Sequence, residues 1–119
     1  MTRTRTRTPD AARAYAALDH IITHPELHDQ SLWLGKATEC GTVACFAGRV
    51  VLQAGDRRDD DFWKFPAVIS GDTGRRRSVQ RRAQELLDIT DGQVSLLFKG
   101  DNDLDDLKAL VYDIFGPRP

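Results

Sequence analysis

Apolar side chains are densest just after the first cysteine, where Val43, Phe46, Ala47, Val50, Val51 and Ala54 recur at three- and four-residue steps. Ala44, Cys45, Gly48 and Leu52 put small or apolar groups on the remaining sides, and a helix apolar nearly all round is one enclosed by its neighbours. Thr42 is a candidate cap for the first turn, and Gly55 can take the left-handed conformation past the last, so a helix over about 43–54 is predicted. Gly48 inside it costs about 1 kcal/mol relative to alanine, which points to a place where another backbone comes close.

Four further helices follow from the same period. Thr8-Pro9-Asp10 reads as a start, with Thr8 as cap and Pro9 where a missing amide costs nothing. Ala11, Ala14, Tyr15, Leu18, Ile21 and Ile22 continue as a stripe until His24, because Pro25 disfavours the helical conformation before it. Ser78 caps a helix with Val79, Ala83, Leu86 and Leu87 on one face. Thr90 and Gln93 stand in capping-box relation, and Ile89 can clasp Val94. Asp103 starts the last helix, whose stripe is Leu104, Leu107, Leu110, Val111, Ile114 and Phe115, and Gly116-Pro117 stops it. The last three helices are expected to form an antiparallel set with short connections against the central one.

Two stretches lack a period. Residues 25–41 mix Leu27, Leu32, Trp33 and Leu34 with polar residues, as expected of a loop laid over the core, and Trp33 would cover the edge of the central helix. Phe62-Trp63-Lys64-Phe65-Pro66-Ala67-Val68-Ile69 reads as a short strand or flap, with Pro66 demoting it to a sheet edge.

At 119 residues, 40% hydrophobic and 29% charged, the chain is long enough for one domain with one core. Its formal net charge of −1 gives no global pull toward nucleic acid or membrane. No run reaches the ~18 to 20 apolar residues of a membrane span. Met1 to Thr8 alternates Thr and Arg without an apolar segment behind it, so a disordered basic arm is expected there rather than a secretory signal. A cytoplasmic location follows as an expectation, and with it reduced thiols.

Local charge changes the picture. Arg75, Arg76, Arg77, Arg81 and Arg82 put five arginines within eight residues at a helix start, where they oppose the helix dipole and give reason to look for an anionic partner. The bland reading is a solvated face offset by Asp59 to Asp61. Cys40 and Cys45 are spaced neither as a redox motif nor as a zinc knuckle. A metal or redox site would need His20, His24 or His28 folded back on them, and no acid–base set lies near Cys45 for nucleophilic catalysis. His20 and His24 share a helix face, although Pro25 breaks the stack with His28. Asp101, Asp103 and Asp105 lack the glycine and closing glutamate of a calcium loop. A helix-turn-helix over 78–98 would present Asp91, Gln93 and Ser95, a poor set for a duplex.

The order His24-Pro25-Glu26, Trp33, Cys40-Gly41-Thr42-Val43-Ala44-Cys45-Phe46-Ala47-Gly48 and Leu87-Asp88-Ile89-Thr90-Asp91-Gly92-Gln93-Val94 with Leu97-Phe98 resembles a family of small uncharacterised proteins of actinobacteria and their phages. That family shares HPE, W, CGTxxCxAG and LxLTxxQxxxLF in this order, and the resemblance covers roughly residues 12 to 116. Asp88 and Arg49 depart from the pattern, which has Gly and an aromatic or polar residue there. The resemblance implies a common fold and transfers no activity.

These readings converge on a mainly α fold. The expectation is a disordered arm over 1–8 and a single compact domain over 9–119, of about five helices around a central buried one with a short β arm or flap. The function expected is a non-catalytic interaction or regulatory module, such as an accessory or phage-derived factor, needing no cofactor. Its protein partner is expected to meet Trp63, Arg75, Arg76, Arg77, Arg81 and Arg82. The alternatives are nucleic-acid binding through the arm and the arginine cluster, and thiol redox or metal chemistry at Cys40 and Cys45.

Overall fold

The computed structural model describes residues 8–38, 41–60 and 66–119. The fold is largely α, with five helices and two small antiparallel sheets among the described residues. The helices are α1 (Ala11–Thr23), α2 (Phe46–Gln53), α3 (Val79–Leu87), α4 (Asp91–Leu97) and α5 (Leu104–Phe115). Strands β1 (Leu34–Thr38) and β2 (Gly41–Ala44) form one sheet; β3 (Arg57–Arg58), β4 (Ala67–Ile69) and β5 (Arg76–Ser78) form the other in that spatial order.

The central helix is shorter than its apolar pattern predicts. Gly41 to Ala44 pair with β1 as an extended strand, so Thr42 lies in a ladder and is no helix cap. A short apolar run fits strand and helix equally, and the β-branched pair Thr42-Val43 favours the strand. Gly41 sits at φ +125°, a conformation open to glycine and strained for other residues. The helix is instead capped by Cys45, whose sulfur accepts the Gly48 N–H at 3.4 Å. From Phe46 to Val51 every residue is buried, between α1 on one side and α3 on the other.

Gly48 is the reason this helix can sit so deep. A Cβ built there would lie 2.0 Å from the Trp33 carbonyl oxygen, so the chain before β1 crosses α2 at backbone contact. Two polar side chains seal the crossing. Buried Gln30 accepts the Phe46 N–H on Oε1 at 3.1 Å and donates from Nε2 to the Leu97 and Lys99 carbonyls, both at 3.2 Å. One amide thus satisfies an orphan donor at the start of α2 and ties it to carbonyls at and just past the end of α4, which Asn102 also bonds. Arg49 donates from Nη2 to the carbonyls of Thr42 at 2.6 Å and Leu27 at 3.3 Å, tying β2 and the single 3-10 turn Pro25–Leu27 to the helix.

The remaining helices follow their sequence signals closely. α3 is capped by Ser78, and α4 and α5 carry capping boxes, Thr90 with Gln93 and Asp103 with Asp106. Only α1 starts differently: Asp10, not Thr8, is the cap, accepting the Arg13 N–H at 3.0 Å, while the Thr8 N–H donates to Asp88 Oδ2. Asp88 holds the left-handed conformation at φ 56° that ends α3. Tyr15 OH donates to the Gly116 carbonyl at 2.6 Å, and Arg118 lies over the Tyr15 ring and pairs with Asp19, so α1 and the end of α5 are clamped together.

The described parts of the two periodless stretches contain regular elements. Residues 25–41 contain the 3-10 turn and β1. Ala67 to Ile69 form the middle strand of their sheet, not an edge, because Pro66 precedes the ladder and contributes its carbonyl, which accepts the Val79 N–H at 3.1 Å. The Thr-Arg arm over 1–7, together with Cys40 and residues 61–65, lies outside the described residues.

Gly48→Ala tests the crossing. Helix propensity alone would favour alanine by about 1 kcal/mol, but the added methyl meets a backbone carbonyl that has no room to retreat. A loss of about 3 kcal/mol or more in urea unfolding is expected, and a variant as stable as the parent would contradict the packing.

Candidate interaction cleft

The five arginines predicted as one patch are divided among different roles. Arg82 is buried: its Nε donates to Asp56 Oδ2 at 2.8 Å and its Nη2 to Asp56 Oδ1 at 3.2 Å, a bidentate pair. Asp56 Oδ1 also accepts the Gly71 N–H at 2.8 Å, and Arg82 Nη1 reaches exposed Asp72 at 3.3 Å. This node joins the end of α2, the β4–β5 turn and α3, so Arg82 serves the interior rather than a partner surface. The Asp56 hydrogen bonds raise the Arg82 pKa further and keep the guanidinium charged.

Arg76 donates to Asp59 at 2.5 Å and Arg77 pairs with Glu85, so the compensation expected from the acidic run holds at Asp59. Arg75 and Arg81 are exposed and form no ion pair with a described residue. Trp63 lies outside the described residues, three positions before Pro66.

Arg81 stands at the mouth of a cleft of about 460 Å³ lined by Trp33, Pro66, Ser78, Gln80, Arg81, Gln84 and Asp91. A shallower depression of about 280 Å³ shares Trp33 and Gln80 and continues along Val94, Ser95, Phe98 and Lys99. The Trp33 indole is held edge-on against the Phe98 ring, centroids 6.1 Å apart, which fixes the aromatic wall between the two hollows. Ser78 Oγ is committed to the Arg81 N–H as the α3 cap. Gln84 Nε2 donates to the Ile89 carbonyl at 3.1 Å and to Asp91 Oδ1 at 2.8 Å, which orients the amide.

Among these, the sequence singles out only Arg81. Trp33 is expected from sequence to cover the central helix, and its backbone does meet that helix at Gly48. Gln80, Gln84 and Asp91 carry no motif; they meet because a three-residue connection, Asp88 to Thr90, folds α4 back beside α3. That fold-back turns Asp91 toward α3, where a helix-turn-helix reading would have it face a duplex.

No family model, curated protein or solved structure matches the chain. The cleft is therefore read from its own chemistry.

Of the thiol and histidine candidates, Cys45 is drawn into the core, His20 and His28 are half-buried and His24 is exposed. Cys45 is a free thiol, 1% exposed, with its S–H directed at the Trp33 carbonyl at 3.8 Å. Burial pushes its pKa up, outweighing the amide hydrogen bonds from Gly48 and Ala47, so it stays protonated and poorly nucleophilic. Cys40 lies outside the described residues. Among the described residues no three of His, Cys, Asp and Glu are grouped to hold a metal ion.

The His20 and His24 rings meet at a tilt of 44° with centroids 4.8 Å apart, and His24 Nδ1 lies 3.5 Å from exposed Glu26. Neither ring nitrogen of His28, nor Nδ1 of His20, has a hydrogen-bond partner where it is buried. Burial lowers the pKa of His28 against the upward pull of the Ala44 backbone and Asp29, with Arg49 adding to the depression. Burial also lowers that of His20, reinforced by Arg49 and His24 against Glu26.

These charges carry two predictions. Asp56→Ala leaves Arg82 buried without its counter-ion and is expected to cost about 3 to 5 kcal/mol, whereas Asp72→Ala, at the exposed end, costs under about 1 kcal/mol. Equal losses in urea unfolding would contradict the node. For His20 and His28, the unfolded chain takes up protons near the ordinary pKa of about 6.5 while the folded protein does so only at lower pH. Stability is therefore complete above about pH 6.5 and falls as the pH drops toward the depressed folded values. Urea unfolding at pH 7.5 and 5.5 should show a smaller decline in His28→Gln than in the parent, and a parent equally stable at both values would refute the assignment.

Proposed function

We propose that this chain is a non-catalytic interaction module that holds a protein partner at the cleft between Trp33 and the start of α3. The observation that carries this reading is the combination of Arg81 at the rim, with no ion pair among the described residues, with an aromatic wall and a floor of oriented amide and carboxylate groups. Such surfaces, an aromatic anchor with a polar rim, concentrate binding energy in protein complexes. Arg75 lies in the same arginine run in sequence, and Trp63 is three residues from Pro66, which lines the cleft.

The distribution of the other arginines supports a protein over a polyanion. Nucleic-acid affinity draws on many cations released to phosphates, and Arg76, Arg77 and Arg82 each already serve a carboxylate of this chain. Thiol chemistry finds no support in the protonated, enclosed Cys45. No helix among the described residues is long and apolar enough to cross a membrane.

A photoreactive amino acid at exposed Gln80 tests the reading in cells that carry the protein, with the same group at exposed Tyr112 on α5 as a control. A discrete protein adduct from position 80, absent from position 112 and lost with Arg81→Glu, is expected. Identical adducts from both positions, or nucleic acid as the captured species, would contradict it.

A further inference from the structure

Gln84 brings to the cleft an acceptor that no described residue occupies. Gln84 is only 9% exposed, and its Nε2 is spent on two acceptors, Ile89 O and Asp91 Oδ1. Because both partners are acceptors, the amide cannot be turned over: Nε2 faces them and Oε1 faces away. Oε1 accepts a hydrogen bond from no described residue, and the residue lines the cleft. A largely buried amide whose orientation is fixed and whose acceptor is left over presents that acceptor to whatever occupies the space.

From this we infer that the cleft takes an extended peptide segment bearing an acidic side chain, a specification that rests on the protein-binding reading above. The donor requirement comes from Gln84 Oε1 on α3 and the Asp91 carboxylate at the start of α4, two acceptors that suit backbone N–H groups. The acidic requirement comes from exposed Arg81, one turn before Gln84 on α3, a guanidinium with five donors and no carboxylate among the described residues. An extended chain presents N–H groups and side chains at regular spacing, so one segment can give an N–H to Gln84 and a carboxylate to Arg81. The Trp33 wall of the cleft accommodates an apolar side chain, and the adjoining hollow toward Lys99 lets the chain run on. A folded partner would have to deliver the same groups on a protruding loop.

The probe is a phage-displayed library of linear dodecapeptides panned on the full chain, followed by titration of the enriched peptides as synthetic acetyl-amides. Enriched sequences are expected to share an Asp or Glu next to an apolar residue and to shift the Trp33 indole resonance on binding. Arg81→Glu, an exposed change whose far-ultraviolet circular dichroism should match the parent, is expected to weaken them about tenfold or more and to select basic peptides in their place. Tyr112→Ala should leave binding unchanged. Enrichment of peptides without an acidic residue, insensitivity to Arg81→Glu, or no enrichment would overturn the inference. A single-stranded oligonucleotide that binds in an Arg81-dependent manner while no peptide does would overturn it as well. The crosslink from position 80 separates the two levels: an Arg81-dependent protein adduct with no acidic peptide selected rejects the peptide specification alone, and loss of both rejects the protein-binding reading too.

Discussion

The structure depends on one close passage of main chain over main chain, where the Trp33 carbonyl meets α2 at Gly48. Hydrophobic burial alone would bring a short apolar helix inside, but burial also strands the amides of its first turn, which water would otherwise satisfy. Here the missing partners come from the segment that makes the crossing and from the cap: Gln30 takes the Phe46 N–H and the Cys45 sulfur takes that of Gly48. A helix of eight residues has little stability of its own, so its place in the core is owed to these fitted contacts.

The same constraint decides which chemically suggestive residues remain available at the surface. Cys45 caps, Arg49 ties down β2 and the 3-10 turn, and Arg82 neutralises Asp56 where α2, the β4–β5 turn and α3 meet. These groups attract attention in the sequence for reactivity or charge, and in the fold they satisfy neighbours within the protein. What is left to line the cleft includes Arg81 at the rim, Trp33 as a wall and the acceptor side of Gln84. The crossing links the two halves of this picture, because the residue whose carbonyl packs on Gly48 also puts its indole into the cleft.

Helix boundaries that depend on capping chemistry were legible: Ser78, the Thr90–Gln93 box and Asp103 each start a helix as their side chains dictate. So was the close approach at Gly48, since a glycine weakens a helix and is kept inside an apolar one where a side chain would not fit. The start of α2 was not, because Thr42 satisfies the rule for a cap and the propensity for a strand, and only pairing with β1 chooses between them. Nor was the cleft. Gln84 and Asp91 sit on separate helices, and their meeting is set by how the Asp88 to Thr90 connection turns, a tertiary fact with no local period. Arg81 and Arg82 are adjacent in sequence and alike in chemistry, yet one is exposed and the other buried. Their difference is one step around a helix whose opposite side already holds Asp56.

Site-resolved native-state hydrogen exchange tests the enclosed crossing most directly. First-turn amides of a short helix ordinarily exchange quickly, since they lack intrahelical acceptors and the turn frays. The structure predicts that the Phe46 and Gly48 amides, held by Gln30 and the Cys45 sulfur, exchange as slowly as those of Val50 and Val51, with free energies equal to global unfolding. Exchange of Phe46 and Gly48 at the rate of an exposed first turn, while Val50 and Val51 stay protected, would show the crossing to be open.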